Sequence, residues 1–185
     1  MQGLITFALL ASAASWTTPF AARHWRVRHR SGPVTCGAVA TFCKDRLRIS
    51  EEIAQRTEAR LQHRAEYINA TMAASICDAL QSRLGLSEAQ LQKVVVALPS
   101  VLGYSFESNI EPKLDFLQME LGLSLDVMRA KVLKCPAVLG YSLARRYFPR
   151  LQVCREVGAD PILVVDRVTQ TDERFYASIG SARGP

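Results

Sequence analysis

The chain lacks the patterns that most enzyme chemistry needs. Its five cysteines, Cys36, Cys43, Cys77, Cys135 and Cys154, contain no CxxC pair and are odd in number. That excludes a zinc ribbon and a paired disulfide framework. Cys135 and Cys154 sit among apolar residues and read as small buried hydrophobes. Histidine is scarce: His24 and His29 fall in an arginine-rich N-terminal stretch, and His63 stands alone among polar residues. There is no phosphate-cradling P-loop, no GxSxG and no HExxH. Neither catalysis nor a metal or cofactor is expected, and Asp160, Asp166, Asp172 and Glu173 read as helix caps and surface charge. The apolar stretch Leu4 to Ala14 falls far short of the ~20 residues of a membrane-spanning helix.

Acidic residues are missing from positions 1 to 44, which hold Arg23, Arg26, Arg28, Arg30 and Lys44. Most of the net charge of +6 therefore lies in that arm, and the whole-chain pI is poor evidence for a polyanion partner. The arm reads as an address. An apolar segment with small residues behind it has the length of a signal peptide, and TTPFAARHWRVRHRSG, arginine-rich, hydroxylated and acid-free, has the composition of an organellar transit peptide. Signal plus transit, with Phe20 early in the second part, resembles the bipartite presequences of algae with secondary plastids. A plastid is the expected destination and a mitochondrion the alternative. Residues 1–34 are expected to be this targeting peptide and 35–49 a linker.

What the chain does have is a repeat. Residues 84–120 and 121–157 align without a gap at a period of 37, with 13 identities that include Pro99/Pro136, Gly103/Gly140 and Pro112/Pro149. Two prolines and two glycines in register point to one structural unit used twice. Each copy reads as helix, turn, helix. Ser87 caps a first helix opening at Glu88, with Gln90 placed to reach back, and Pro99 ends it; Ser124 and Pro136 do the same in the second copy, where Val127 replaces the glutamine. The turns Pro-Ser-Val-Leu-Gly-Tyr-Ser and Pro-Ala-Val-Leu-Gly-Tyr-Ser put valine and leucine inward, with Gly103 and Gly140 available for a positive φ. A second helix begins near residues 109–111 and 146–148, carrying stripes at Leu114, Leu117, Leu121 and at Tyr147, Leu151, Cys154. Gly122 and Gly158 close it.

Residues 50–83 contain no proline or glycine and are expected to be one long helix or two, ending in a degenerate repeat; Ile53, Leu61, Tyr67, Ile68, Met72, Ile76 and Leu80 offer an interrupted apolar face. Residues 158–180 read as a partial repeat with a last short helix capped by Thr171 or Asp172. The fold class is therefore all-α, a helical-repeat solenoid.

Leu-Gly-Leu-Ser, a helix, Pro-x-Val-Leu-Gly-Tyr-Ser, then Pro-Lys/Arg-Leu resembles the repeat of the mitochondrial transcription termination factor (mTERF) family, and Thr-Asp-Glu-Arg-Phe resembles that family's C-terminal ending. The resemblance covers about residues 70 to 180. It implies a superhelix of two long helices and a 3₁₀ turn per unit, whose basic concave face holds nucleic acid. It also implies work in organelles on transcription, termination, splicing or ribosome assembly. The chain departs from the pattern in having two clear repeats and two partial ones, so sequence-specific base readout is not expected.

Charge within the repeats is uneven, net −3 in the first and +5 in the second. Arg146 and Arg150 share one helix face, Lys131 and Lys134 another. Lys113 and Arg150 occupy the same slot after the proline. With Arg129 and Arg145 these are the candidate phosphate contacts; pairing with acids across repeats is the competing reading. Tyr104 and Tyr141 read as core packing, with base stacking as the alternative. DNA and RNA both remain open as partners, and so does a role as a protein adapter beside other organellar gene-expression proteins.

Overall fold

The computed structural model describes residues 37–180, and the expected targeting segment lies outside them. The described residues form helices and turns with no strand. Helix α1 spans Ala38–Asp45, α2 Glu51–Leu61 and α3 Ala70–Leu84, with a 3₁₀ helix, Gln62–Tyr67, between α2 and α3. Residues 50–83 are thus two helices. Asn69 caps the second by accepting from the Met72 amide. Gln62 turns the chain between them at φ 51, ψ −135, outside the ordinary regions for a side-chain-bearing residue and costing on the order of 1–3 kcal/mol.

The expectation of a linker at 35–49 is corrected by α1. Val39, Ala40, Phe42 and Cys43 are buried, as are Leu47 and Ile49 behind them, and α1 packs on α2 and α3. No side chain of its own caps this helix. Glu58 of α2 supplies the cap, accepting from the amides of Gly37 at 2.7 Å and Ala40 at 2.9 Å. Glu58→Ala strips two orphan N–H groups of their acceptor, worth roughly 1–2 kcal/mol locally. Amides of residues 38–45 are expected to exchange at least about tenfold faster in the variant while those of α4 are unchanged.

The two full repeats match their sequence signals closely. In the first, α4 (Glu88–Ala97) carries a complete capping box: Ser87 Oγ accepts from the Gln90 amide and Gln90 Oε1 accepts from the Ser87 amide. In the second, α6 (Leu125–Lys134) has only the Ser124 half, accepting from the Val127 amide. A 3₁₀ turn follows each, Pro99–Gly103 and Pro136–Leu139, burying Val101, Leu102, Val138 and Leu139. Next comes one π turn, Phe106–Ile110 or Leu143–Tyr147, capped by Ser105 or Ser142. It leads into α5 (Glu111–Met119) or α7 (Phe148–Val157). The π turn explains how Pro112 and Pro149 are accommodated: a proline within a regular helix meets the carbonyl four residues back, and the wider turn before it relieves that clash.

The turn glycines do not work as expected. Gly140 has φ −86 and Gly103 is not among the positive-φ residues, whereas Gly122 and Gly158 take φ 64 and 70 after α5 and α7, and Gly85 takes φ 62 after α3. Gly103 instead stands where a neighbouring side chain approaches closely. A β-carbon there would lie 3.2 Å from Ile68 Cδ1.

The core runs continuously from Val39 to Ile179. Helix α3 packs on α4 and α6, α4 on α6, and α5 on α6. Beyond α7, a short helix α8 (Leu163–Asp166) and α9 (Asp172–Gly180) fold back onto it. Thr171 caps α9, its Oγ1 accepting from the Arg174 amide. Two residues expected on the apolar face of residues 50–83 point outward: Ile53 of α2 is 40% and Tyr67 of the 3₁₀ helix 73% exposed. Cys43, Cys77 and Cys154 are buried and Cys135 half-buried, all free, and burial pushes the Cys43 and Cys77 thiols up to about 11 and 12. They are inert packing residues.

Candidate nucleic-acid interface

The turns of successive units stack along one edge. Ile68, after the first 3₁₀ helix, meets Gly103; Leu98 and Tyr104 of the first repeat lie 3.5 and 3.8 Å from where a Gly140 β-carbon would stand. Arg146 then reaches from the second repeat's π turn to the carbonyls of Val168 at 3.1 Å and Gln170 at 2.6 Å. Tyr67, Tyr104 and Tyr141 each stand at one of these turns. Tyr104 is half-buried with its hydroxyl 3.1 Å from that of Ser100, and Tyr141 is half-buried beneath the Arg146 guanidinium, 4.5 Å from its ring centre.

The seven basic candidates separate into two groups. Lys113 and Arg150, the shared slot after the proline, are in the core, and their assignment as phosphate contacts is corrected. Lys113 is 6% exposed; its ammonium donates to Leu139 O of the next repeat's turn at 2.7 Å and to Asn109 Oδ1 at 2.5 Å, above the Tyr104 ring. Burial lowers its pKa to about 8. Arg150 is 0% exposed. Its guanidinium donates to Asp172 Oδ1 at 2.7 and 3.0 Å, to Arg167 O at 2.9 Å and to Gln170 O at 2.6 Å, and stacks on the Phe175 ring. Each of these two cations thus satisfies carbonyls at the turn of the following unit. Asp172, expected as surface charge, is the counter-ion of the buried arginine.

Three more candidates are engaged between units. Arg129 Nε donates to Leu84 O at 2.6 Å, capping the end of α3, while its Nη1 pairs with Asp126 at 2.9 Å. Lys131 pairs with Asp166. Arg146 holds the two carbonyls already named. The same habit runs through the rest of the chain: Arg46 with Asp78 and Glu88, Arg60 with Val96 O and Ala97 O, Arg83 with Asp115, and Arg155 with Glu120. Partners lie 32 to 42 residues apart, about one repeat. Exposed pairs of this kind are each worth only a few tenths of a kcal/mol, but in series they fix how one unit sits on the next. Basic residues expected to meet phosphate therefore mostly join repeat to repeat.

Lys134 and Arg145 remain. Both are exposed, and neither side chain has a partner among the described residues. Lys134 is the last residue of α6, before the Pro136–Leu139 turn, and Arg145 lies in the π turn after it. Four exposed cations that sequence reasoning did not single out as contacts, Arg48, Arg64, Lys93 and Arg174, also have no side-chain partner there. Arg64 borders an apolar cleft beside Tyr67 and Tyr104. Among the described residues no cluster of His, Cys, Asp or Glu could hold a metal, and no helix is long and apolar enough to cross a membrane.

A comparison with curated proteins gives no match. The family model for mTERF matches residues 50–176, from the start of α2 into α9, and includes both full repeats. With that span, the helix–turn–helix units and their repeated Pro-x-Val-Leu-Gly-Tyr-Ser turns, the chain belongs to the mTERF family.

Proposed function

We propose that this chain binds nucleic acid along the turn edge of its repeats and acts in organellar gene expression, in transcription and its termination or in RNA processing. The observation that carries the reading is the pair Lys134 and Arg145, exposed and without partners on either side of the second repeat's turn, in the repeat with the larger positive charge. Arg146 completes the group from a half-buried position against Tyr141. A sparse set of cations suits contact with the phosphate backbone, which positions a protein without reading sequence. Membership of the mTERF family supports the same reading. The acid-free arginine-rich arm supports delivery to a plastid, with a mitochondrion as the alternative.

One observation favours a second reading, a helical adapter. Met119 is 77% and Phe148 50% exposed, and Phe148 packs edge-on against Phe116, one turn before Met119 on α5. Such exposed apolar residues on neighbouring helices suit a protein partner.

Binding of the folded chain to duplex DNA and to single-stranded RNA at about 50 and 200 mM salt separates the two. Nucleic-acid binding is expected to weaken steeply with salt. Absence of binding at the lower salt by folded protein sinks the proposal and leaves the adapter.

A further inference from the structure

The cleft at the first turn is a cavity of about 260 Å³ between the Gln62–Tyr67 3₁₀ helix and the Pro99–Gly103 turn. Its floor is apolar, from Leu61, Ile68 and Met72, and Tyr104 forms one wall. Tyr67 borders it and is 73% exposed, a large aromatic surface with no ring or polar partner among the described residues. Arg64 lies three residues before Tyr67. In a 3₁₀ helix side chains three apart eclipse, so the guanidinium and the phenol ring project from the same side. Arg64 has no partner among the described residues. Ser100 and Tyr104 also border the cleft, and their hydroxyls lie 3.1 Å from each other. The volume is below that of a cavity for a drug-sized ligand and suits a single flat ring system.

An apolar floor, an unpartnered aromatic face and one free cation at the rim match one chemistry: a planar ring attached to a phosphate. Purely apolar peptide side chains would leave Arg64 unused, and a bare anion would leave the ring and floor unused. We propose that this cleft receives one unpaired nucleobase of a single strand, stacked on Tyr67, with Arg64 on the adjoining phosphate. The inference rests on the nucleic-acid reading above and narrows it: the chain engages single-stranded or locally opened nucleic acid at its first turn while Lys134 and Arg145 hold the backbone at the second repeat.

The test uses the full chain and a single-stranded oligonucleotide carrying one 2-aminopurine, beside a blunt duplex. Stacking of a base on an aromatic side chain predicts that Tyr67→Ala weakens single-strand binding about tenfold and abolishes the 2-aminopurine quenching, with duplex binding unchanged. Tyr67→Phe keeps both, and Arg64→Ala weakens binding of adenosine monophosphate but not of adenosine. Lys134→Glu/Arg145→Glu is expected to weaken duplex binding and leave adenosine monophosphate binding in the cleft unchanged, so failure of the backbone site and failure of the cleft are distinguishable. Wild-type quenching and affinity in folded Tyr67→Ala would overturn the proposal, as would an adenosine monophosphate that perturbs no resonance of Tyr67. An acidic aromatic peptide that displaces no oligonucleotide yet binds at Tyr67 would overturn it in favour of a protein partner.

Discussion

Arg150→Ala is expected to lower the stability of the chain by about 3 kcal/mol, roughly 10 °C in melting temperature, and to release α9 first. The guanidinium is fully buried and is the donor shared by Asp172, Arg167 O and Gln170 O, the groups that turn the chain from α8 into α9. Truncation takes one of two donors from each carbonyl, leaving Arg167 O with the Gln170 amide and Gln170 O with Arg146, removes the partner of Asp172 and empties the space above Phe175. Asp172 is half-exposed, so its own loss costs less: Asp172→Asn keeps an acceptor for the arginine, and about 1 kcal/mol is expected. Chemical denaturation of the two variants beside wild type measures both. A loss in Arg150→Ala no larger than that of an exposed arginine would contradict its role as the latch of the C-terminal unit.

The second large effect is a pH dependence at Lys113. Its folded pKa is held near 8 by burial, against about 10.5 when exposed, so between those values the unfolded chain binds the proton that the folded chain has given up. Stability from this group therefore rises as pH climbs from about 8 to about 10.5, by an amount on the order of 3 kcal/mol at most, and the cost of burying the charge is fully present below pH 8. Burial also raises the thiols of Cys43 and Cys77, whose stabilising contribution is lost at high pH and opposes that of Lys113. The difference between wild type and Lys113→Met cancels such shared titrations. Urea midpoints at pH 7, 9 and 10.5 are expected to show the wild type gaining on the variant as pH rises. A constant difference would mean that the hydrogen bonds to Leu139 O and Asn109 keep the ammonium charged throughout.

The repeats were legible because their signals are local. Ser87, Gln90, Pro99, Ser124 and Pro136 act within a few residues of themselves, and the helices of both repeats start and stop where those residues dictate. Helix α1 was not legible because its cap is Glu58, 21 residues away in sequence. The fate of the cations divides the same way. Lys113 and Arg150 carried a readable signal that charge alone concealed. Ile110, Lys113, Leu114 and Leu117 stand at i, i+3, i+4 and i+7, as do Tyr147, Arg150, Leu151 and Cys154, so both cations fall on the buried stripe. Arg129, Lys131 and Arg146 carried no such signal. Whether each meets a carbonyl, a carboxylate or solvent depends on a neighbouring unit 22 to 45 residues away, and a period of 37 does not encode that distance in space. The cleft at Tyr67 is invisible in sequence for a similar reason, since it arises only when the strained turn at Gln62 lays the 3₁₀ helix against Gly103.

The central claim is that the basic residues of this solenoid divide into those that join units and those left free to meet phosphate. The most direct test is the salt dependence of duplex binding by the full chain for wild type, Lys134→Glu/Arg145→Glu and Lys113→Met, each checked for folding. Two lost phosphate contacts predict that the log–log slope of the double variant falls by roughly 1.8 while Lys113→Met keeps the wild-type slope. An unchanged slope in the double variant, or a slope lost only in Lys113→Met, would contradict the division.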